Sequence, residues 1–288
     1  MITAAILFTA LTVSTPSEAA ERSENSHLIS NECGSSVDHN LSRRNYREAL
    51  RLQAEGNLTR AQGKLSTAIE YAPCNMLAYL ARASVRLERG DIVGALGDVE
   101  YVITMKPTLA EAYYVRGQID MRLHLWASAA SELKMAAQLE PDLADAQFFL
   151  QLALSSMAQF DFWDAIGSLT RAIAKDGDAS TAYFLRSFAY ERVGQLTAAI
   201  SDMNAIIGLS QSAEAFHRRA ELFIRVGLDG QALSDLNASI TLNPQDAKAL
   251  ADRARLHKRF GNSDSAAIDL RNRRAILNQS VKSRLHDN

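Results

Sequence analysis

The amino-acid sequence predicts an all-α fold in which short helical repeats stack into a solenoid. Pro73, Pro107 and Pro141 stand 34 residues apart, and Pro244 follows after close to three more periods. The chain of 288 residues is 47% hydrophobic but contains only 14 glycines and 5 prolines. That composition favours helices over the turn-rich strands of a sandwich or barrel, and a fixed period in this range is typical of solenoids.

One alanine in each repeat defines seven repeats. Twelve residues before it every repeat has a small residue, and five residues before it five of the seven repeats have a glycine. We interpret each repeat as a helix A, a tight turn at the glycine and a helix B that ends before the proline. The small residue and the alanine would let the two helices approach closely. The alanines are Ala61, Ala95, Ala129, Ala165, Ala199, Ala232 and Ala266.

These repeats resemble the tetratricopeptide repeat (TPR) family. The clearest repeat carries the segment AYLARA at 78–83, a turn at Gly90 and Asp91, Ala95 followed by Leu96, and Pro107. The resemblance covers roughly residues 42–275. It implies a right-handed superhelix of about seven TPR helix-turn-helix units whose role is to bind other proteins.

The repeats depart from the TPR pattern near the middle of the chain. His124 and Phe160 replace the turn glycine in repeats 3 and 4, and Gly177 and Gln211 stand where repeats 4 and 5 should have proline. The alanine spacing is 36 residues between repeats 3 and 4, against 33 or 34 elsewhere. We therefore predict a longer junction between these two repeats.

Arginines recur at one position of helix A in five repeats and could form an anion site. However, an acid follows each arginine by sixteen residues. Repeat 1 reverses the charges with Glu48 and Lys64, while repeat 4 has the uncharged residues Leu152 and Ser168. If the two residues form a direct ion pair between helices A and B, their charges should change together, either by exchanging sign or by both being absent. The predicted structural pairs are Arg82 with Asp98, Arg116 with Glu132, Arg186 with Asp202, Arg219 with Asp235, and Arg253 with Asp269.

The TPR resemblance implies that defined positions of helix A line a concave trough. In repeats 1 to 5 these positions are mostly apolar, which favours an amphipathic helix or an extended apolar peptide as the ligand. Some of these residues could instead pack against the neighbouring repeat as core. The trough lacks the Lys/Asn clamp with which some TPR domains hold a C-terminal carboxylate. The predicted partner-binding residues are Tyr46, Leu80, Leu87, Tyr114, Met121, Leu150, Leu154, Met157, Phe184 and Phe188.

Repeats 6 and 7 present charged residues at the same positions, among them His217 and Arg255. From Ala247 to Asn288 there are ten Lys or Arg residues against four Asp residues. We assign residues 276–288 as a basic C-terminal tail. Two interpretations stay open for this basic end: a solvated capping helix, which a solenoid needs, or contact with an acidic partner or an anionic surface.

The first 19 residues resemble a secretory signal peptide. An apolar stretch over residues 4–13 precedes a small-residue cleavage site, although no Lys or Arg stands before it. No segment is long and apolar enough to predict a transmembrane helix. We expect residues 20–41 to be flexible and the protein to be exported, most simply to a periplasm. The alternative is a cytoplasmic protein with a buried N-terminal helix.

The two cysteines, Cys33 and Cys74, are compatible with one disulfide in an oxidising compartment. Neither lies in a CxxC or CxxH motif, so a zinc site is not indicated. A pair of free thiols in a cytoplasmic protein is the alternative.

The sequence carries no motif of an enzyme active site. The histidines are scattered, and a net charge of −2 with a pI near 6.3 argues against nucleic-acid binding. His217 with Glu214 and Glu221 could hold a metal or a proton, but a solvated helix face is the commoner meaning of such a cluster. We therefore predict a scaffold of the cell envelope without enzymatic activity, cofactor or metal, which binds a protein or peptide. The alternatives are a self-associating structural protein and an accessory subunit that positions an envelope enzyme.

Overall fold

The computed structural model describes residues 38–176 and 180–286, and every regular element in these ranges is helical. The all-α class is therefore confirmed for this part of the chain. Helices A have odd numbers and helices B even numbers. The α-helices are α1 (His39–Ala54), α2 (Leu58–Tyr71), α3 (Met76–Glu88), α4 (Ile92–Met105), α5 (Ala110–Arg122), α6 (Trp126–Leu139), α7 (Ala146–Ala158), α8 (Phe162–Lys175), α9 (Ser180–Arg192), α10 (Leu196–Leu209), α11 (Ala213–Arg225), α12 (Asp229–Leu242), α13 (Ala247–Arg259) and α14 (Ser263–His286).

The chain divides into two compact blocks, with the boundary after Asp161. The N-terminal block contains α1 to α7, which are repeats 1 to 3 and helix A of repeat 4. The C-terminal block contains α8 to α14, which are helix B of repeat 4 and repeats 5 to 7. Within each block every helix packs against the next one in the chain. This sequential packing is what helix-turn-helix repeats of a solenoid require.

Polar residues begin many of the helices because their side chains accept hydrogen bonds from backbone N–H groups that lack a partner within the helix. Asp91, for example, accepts a 2.9 Å bond from the backbone N–H of Gly94 at the start of α4. Asn75 and Asp145 cap α3 and α7 in the same way. Repeat 3 differs, since Leu109 and Leu125 precede its two helices without a side-chain cap.

The turn between helices A and B keeps one backbone conformation whether or not it contains glycine. The five turn glycines have φ between 76° and 82°, a left-handed region that glycine tolerates best. His124 and Phe160 adopt the same conformation, with φ of 59° and 62°. The packing of the helices therefore imposes this conformation even where the residue is not suited to it.

Small residues bring helices A and B into close contact, as the sequence predicts. A Cβ atom added to Gly117 in α5 would lie 3.1 Å from Cγ of Leu133 in α6 and 3.4 Å from the carbonyl oxygen of Ala129. In repeat 2 the equivalent Ala83 is fully buried in one cluster with Ala95 of α4. The alanine that defines the repeat thus lies where the two helices meet.

The element boundaries differ from the predicted ones in two places and agree with them in a third. Helix α1 begins at His39, and Asp38 caps it, so the first repeat starts three residues before residue 42. The longer junction between repeats 3 and 4 contains a single 3₁₀ turn, Pro141–Leu143. Residues 276–286, predicted as a tail, instead continue helix α14.

Several predictions concern residues outside the described ranges. They are the signal peptide over residues 1–19, most of the flexible segment over residues 20–41, and Cys33. Cys74 lies between α2 and α3, partly buried against the core of repeat 2. Its pairing with Cys33 therefore stays a prediction. No helix within residues 38–176 and 180–286 combines the length and the hydrophobicity needed to cross a membrane.

Candidate partner-binding surface

Four of the ten residues predicted to line the trough are buried in the helical core. Leu80 and Leu87 of α3 are 5% and 0% exposed, and Met121 and Leu154 are equally inaccessible. Leu80 and Leu87 belong to a cluster with residues of α4 and α5. For these four residues the core alternative describes the structure.

The other six residues are half-buried and keep part of their surface accessible. Tyr46, Tyr114, Leu150 and Met157 lie on α1, α5 and α7 of the N-terminal block. Phe184 and Phe188 lie on α9 of the C-terminal block, where the ring of Phe188 meets that of Phe162 edge-on at 6.3 Å. The accessible apolar surface is therefore narrower than the sequence predicts, and helices A of repeats 1, 3, 4 and 5 supply it.

Tyr114 is held in place by residues of the next helix A. Its ring stacks on Phe148 with 5.5 Å between ring centroids. Its hydroxyl oxygen accepts a 3.3 Å hydrogen bond from Nε2 of Gln151. The tyrosine thus presents a fixed, half-buried face instead of a freely rotating side chain.

Buried amide groups lie among these apolar residues, and the sequence analysis did not identify them. Gln118 and Gln151 are 5% and 3% exposed. Nε2 of Gln118 and Oε1 of Gln151 have no hydrogen-bond partner in the described part of the chain. Buried polar groups are rarely left unpaired, and each costs about 1–3 kcal/mol when it is. Gln118 stands at the ninth position of helix A, one of the predicted trough positions, so its polar side chain could have been noticed.

The five predicted ion pairs are direct hydrogen-bonded contacts between helices A and B. In four of them Nε and Nη2 of the arginine donate to the two carboxylate oxygens of one aspartate. Arg186, for example, donates to Asp202 over 3.0 and 2.7 Å. Four of the five carboxylates are buried, Glu132 being the exception, and the hydrogen bonds to Asp202 raise the pKa of Arg186 above its usual value. The shortest contacts are Arg82–Asp98 at 2.7 Å, Arg116–Glu132 at 2.6 Å, Arg186–Asp202 at 2.7 Å, Arg219–Asp235 at 2.7 Å and Arg253–Asp269 at 2.7 Å.

Four of these arginines also bind a polar residue of the preceding helix B. Nη1 of Arg186 donates to the hydroxyl of Thr170 at 3.0 Å. Each of these arginines therefore ties together three helices. In three of the four an aromatic ring flanks the guanidinium group, as Tyr183 does beside Arg186. This role is structural. The other three contacts are Arg82 with Ser66, Arg219 with Asn204, and Arg253 with Asn237.

His217 is the centre of a buried charged cluster in repeats 6 and 7. Its ring nitrogens face Oδ2 of Asp246 at 3.2 Å and Oδ2 of Asp252 at 3.0 Å. Burial lowers the pKa of His217, but the hydrogen bond to Asp252 and the charges of Glu221, Asp246 and Asp252 raise it, and the net shift is upward from the usual value. The sequence analysis paired His217 with its own helix and missed both aspartates, which lie one repeat further along.

Donor atoms of His217, Glu221 and Asp252 lie within 4.8 Å of one another, a spacing that a metal ion could bridge. However, guanidinium groups already occupy both carboxylates, since Arg218 donates to Glu221 and Arg255 lies 3.2 Å from Asp252. Both nitrogens of the histidine also face carboxylates. The cluster is therefore explained by pairing among its own charged groups.

Repeat 7 carries a charged residue where the other repeats bury a small or apolar one. Seven residues after the repeat-defining alanine, six repeats have a buried residue, such as Val102 in repeat 2. Repeat 7 has Arg273, which is exposed. Stacking a further repeat or a second molecule on this face would remove the Arg273 guanidinium from water at a large cost in free energy. The buried residues are Ala68, Val102, Ala136, Ala172, Ile206 and Ser239.

Comparison with known proteins agrees with this architecture. The sequence profile of the tetratricopeptide repeat family matches residues 46–110 and 150–214. The chain is a tetratricopeptide repeat protein. The TPR fold is generally non-catalytic and mediates contacts between proteins.

Curated relatives of this TPR protein include a DnaJ homolog and a co-chaperone described as containing tetratricopeptide repeats and a J domain. DnaJ homolog subfamily C member 3 of Rattus norvegicus is 27% identical over 185 residues, which are 58% of this chain and 36% of that protein. The co-chaperone DNJ1 of Cryptococcus neoformans is 33% identical over 94 residues, which are 33% of this chain and 18% of that protein. The chain thus spans about a third or less of the length of these relatives.

Solved structures share the fold of this TPR protein at low sequence identity. YrrB, described as a TPR protein with an unusual peptide-binding site, superposes with a TM-score of 0.59 at 20% identity, over 65% of this chain and 95% of that one. PilF of Pseudomonas aeruginosa gives 0.59 at 16% identity, over 71% and 92% of the two chains. MamA gives 0.54 at 19% identity, over 58% and 96%.

Proposed function

We propose that this TPR protein is a non-catalytic scaffold that binds an apolar or amphipathic segment of a partner protein in the trough of its N-terminal block. The trough is defined here as the accessible faces of Tyr46, Tyr114, Leu150 and Met157. One observation carries the proposal: helices A of repeats 1, 3 and 4 keep half-buried apolar side chains accessible, and two of these helices also carry buried amide atoms that lack partners in the described part of the chain. YrrB, which shares the fold, is described as having a peptide-binding site.

The two kinds of group in the trough would make different contributions to binding. Burial of apolar surface contributes about 25 cal/mol per Å², and the fixed ring of Tyr114 loses little conformational freedom when a partner covers it. The amides of Gln118 and Gln151 could pair with backbone groups of a bound segment after a small side-chain rotation. Met157 adapts to side chains of different shape because its chain is unbranched.

The proposed location is a cell envelope, and the support for it is the sequence of residues 1–19. In that location the scaffold would hold two envelope proteins together or position an envelope enzyme. The basic residues of α13 and α14, in the C-terminal block, would attract an acidic protein through their charge.

Self-association is the second candidate function, and the structure gives it less support. An array of repeats can grow when the last repeat presents an apolar face to a second molecule. Here Arg273 stands in that face and is exposed. Growth of an array through this face is therefore disfavoured.

Affinity capture with matched variants tests the proposal. The bait is residues 20–288, compared with a Tyr46→Glu, Leu150→Glu double variant and with Val93→Glu, whose parent side chain is 84% exposed on helix B of repeat 2. Circular dichroism must first show that all three fold. We expect a partner that the wild-type chain and Val93→Glu retain and that the double variant loses. Identical capture by all three, or recovery of the chain itself alone, would refute trough binding of a separate partner.

A further inference from the structure

His217 occupies a position of helix A at which repeats 1 to 5 have apolar side chains. Its own side chain is only 9% exposed on helix α11. A buried imidazole in an apolar column requires hydrogen-bond partners, since an unpaired polar group in the interior is costly. The equivalent residues are Tyr46, Leu80, Tyr114, Leu150 and Phe184.

The partners come from repeat 7 and fix the charge state of the ring. Nδ1 of His217 lies 3.2 Å from Asp246, and Nε2 lies 3.0 Å from Asp252. A neutral imidazole has one N–H group, so its other nitrogen would direct a lone pair at a carboxylate oxygen. Only the protonated ring donates to both carboxylates.

The surrounding charges leave one carboxylate for the imidazolium to balance. Glu221, Asp246 and Asp252 supply three negative charges next to the ring. On the same helix Arg218 binds Glu221, and on α13 Arg255 binds Asp252. Two positive charges therefore face three negative ones.

Two further charged groups enter the contacts of this cluster together. Glu191 of α9 accepts hydrogen bonds from Arg218 and from Arg225, which lie on α11. One acid and one additional arginine thus enter the cluster together. Among the groups joined by these contacts, the charges sum to zero only when the ring carries its proton.

Both aspartates hold helix α13, so the bridge connects two repeats. Oδ1 of Asp246 caps the start of α13 by accepting hydrogen bonds from the backbone N–H groups of Lys248 and Ala249, while Oδ2 faces His217. Asp252 lies in the second turn of the same helix. The imidazolium therefore joins α11 to the first half of α13.

We infer that His217 is a pH-sensitive bridge that holds helix α13 of repeat 7 on helix α11 of repeat 6 while the ring is protonated and weakens when the proton is lost. The direction of the pH dependence follows from these contacts, because the two aspartates bind the protonated His217 ring more strongly than the neutral ring. The folded-state pKa lies above the unfolded value of about 6.5, so the stabilisation is complete below that pH and is lost as the pH rises through the folded-state pKa.

The test compares the urea unfolding of the full chain, His217→Phe and His124→Gln from pH 5.5 to pH 9. Phenylalanine is the residue of repeat 5 at this position, and His124 is an exposed histidine for control. Relative to His217→Phe, the unfolding equilibrium constant of the wild type should rise by up to about tenfold per pH unit above pH 6.5 and then level off. The His124→Gln variant should follow the wild type. The NMR titration of the His217 ring should show an upward-shifted midpoint.

Three results would overturn the inference. The first is the same pH dependence in the wild type and in His217→Phe. The second is a ring titration at or below the ordinary midpoint, which does not depend on whether the variant folds. The third is an increase in stability on adding Zn²⁺ that requires His217, because a metal-bound nitrogen cannot donate a proton to a carboxylate.

Discussion

Replacing Asp202 by alanine is expected to lower the free energy of unfolding of the C-terminal block by about 3 kcal/mol. Its carboxylate is 4% exposed and accepts two hydrogen bonds from Arg186. The substitution would leave a largely buried guanidinium group without its acidic partner. The penalty of that unpaired charge, more than the attraction lost, accounts for the magnitude. Urea unfolding followed by circular dichroism measures it.

A double substitution separates direct pairing from two independent effects. Repeat 1 already contains the reversed pair, since Nζ of Lys64 lies 2.9 Å from Glu48. We expect Arg186→Glu combined with Asp202→Lys to recover much of the stability that each single change removes. Strict additivity of the two single effects would contradict direct pairing.

A surface pair of the same chain serves as the control for these changes. Arg51 and Glu55 lie 3.6 Å apart on α1, and both side chains are more than half exposed. Water and salt screen such pairs, so Glu55→Ala should cost no more than about 0.5 kcal/mol. A cost near that of Asp202→Ala would mean that burial is not what makes the repeated pairs strong.

Replacing Leu80 by glutamate is expected to unfold the N-terminal block, whereas Leu150→Glu should leave it folded. Leu80 is 5% exposed within the core of repeat 2, and a carboxylate there would have to lose its water or stay protonated. The expected loss exceeds 4 kcal/mol, which is a large fraction of the stability of a domain. Leu150 is half-buried, so the glutamate side chain can reach solvent.

Thermal unfolding followed by circular dichroism distinguishes the two variants. A cooperative transition near the wild-type temperature for Leu80→Glu would mean that Leu80 is accessible and that the trough is as wide as the sequence predicts. Loss of the transition for Leu150→Glu would place that residue in the core as well. Binding experiments should therefore use Leu150 and not Leu80.

The sequence predicted the repeats and the ion pairs because both depend on spacing along the chain. With a period near 34 residues, the positions that Ala95 and Asp98 occupy in repeat 2 recur at equivalent points of every helix pair. Reversal of the charges in Glu48 and Lys64 gave the pairing a direct test within the sequence. The polar partner on the preceding helix B left the same kind of signal for three arginines, as Ser66 and Thr170 precede their arginines by sixteen residues.

The extent of the trough could not be read from spacing, because one stripe of helix A serves both the core and the accessible face. Leu80 and Leu150 occupy the same position in their repeats, yet Leu80 is buried and Leu150 is half-buried. The position in the repeat is the same for both, so spacing along the chain does not distinguish them. The partners of His217 could not be predicted from spacing either. Asp246 and Asp252 are distant in sequence and contact the ring only because repeats 6 and 7 pack together.

Site-specific photo-cross-linking tests the central claim, that the trough binds a partner protein, most directly. The photoreactive residue p-benzoylphenylalanine would replace Tyr46 or Leu150 in turn, and Val93 in the control, in cells that produce the protein. We expect one and the same cross-linked partner from both trough positions and none from Val93. Cross-links only between copies of this chain, or equal cross-linking from Val93, would contradict the account.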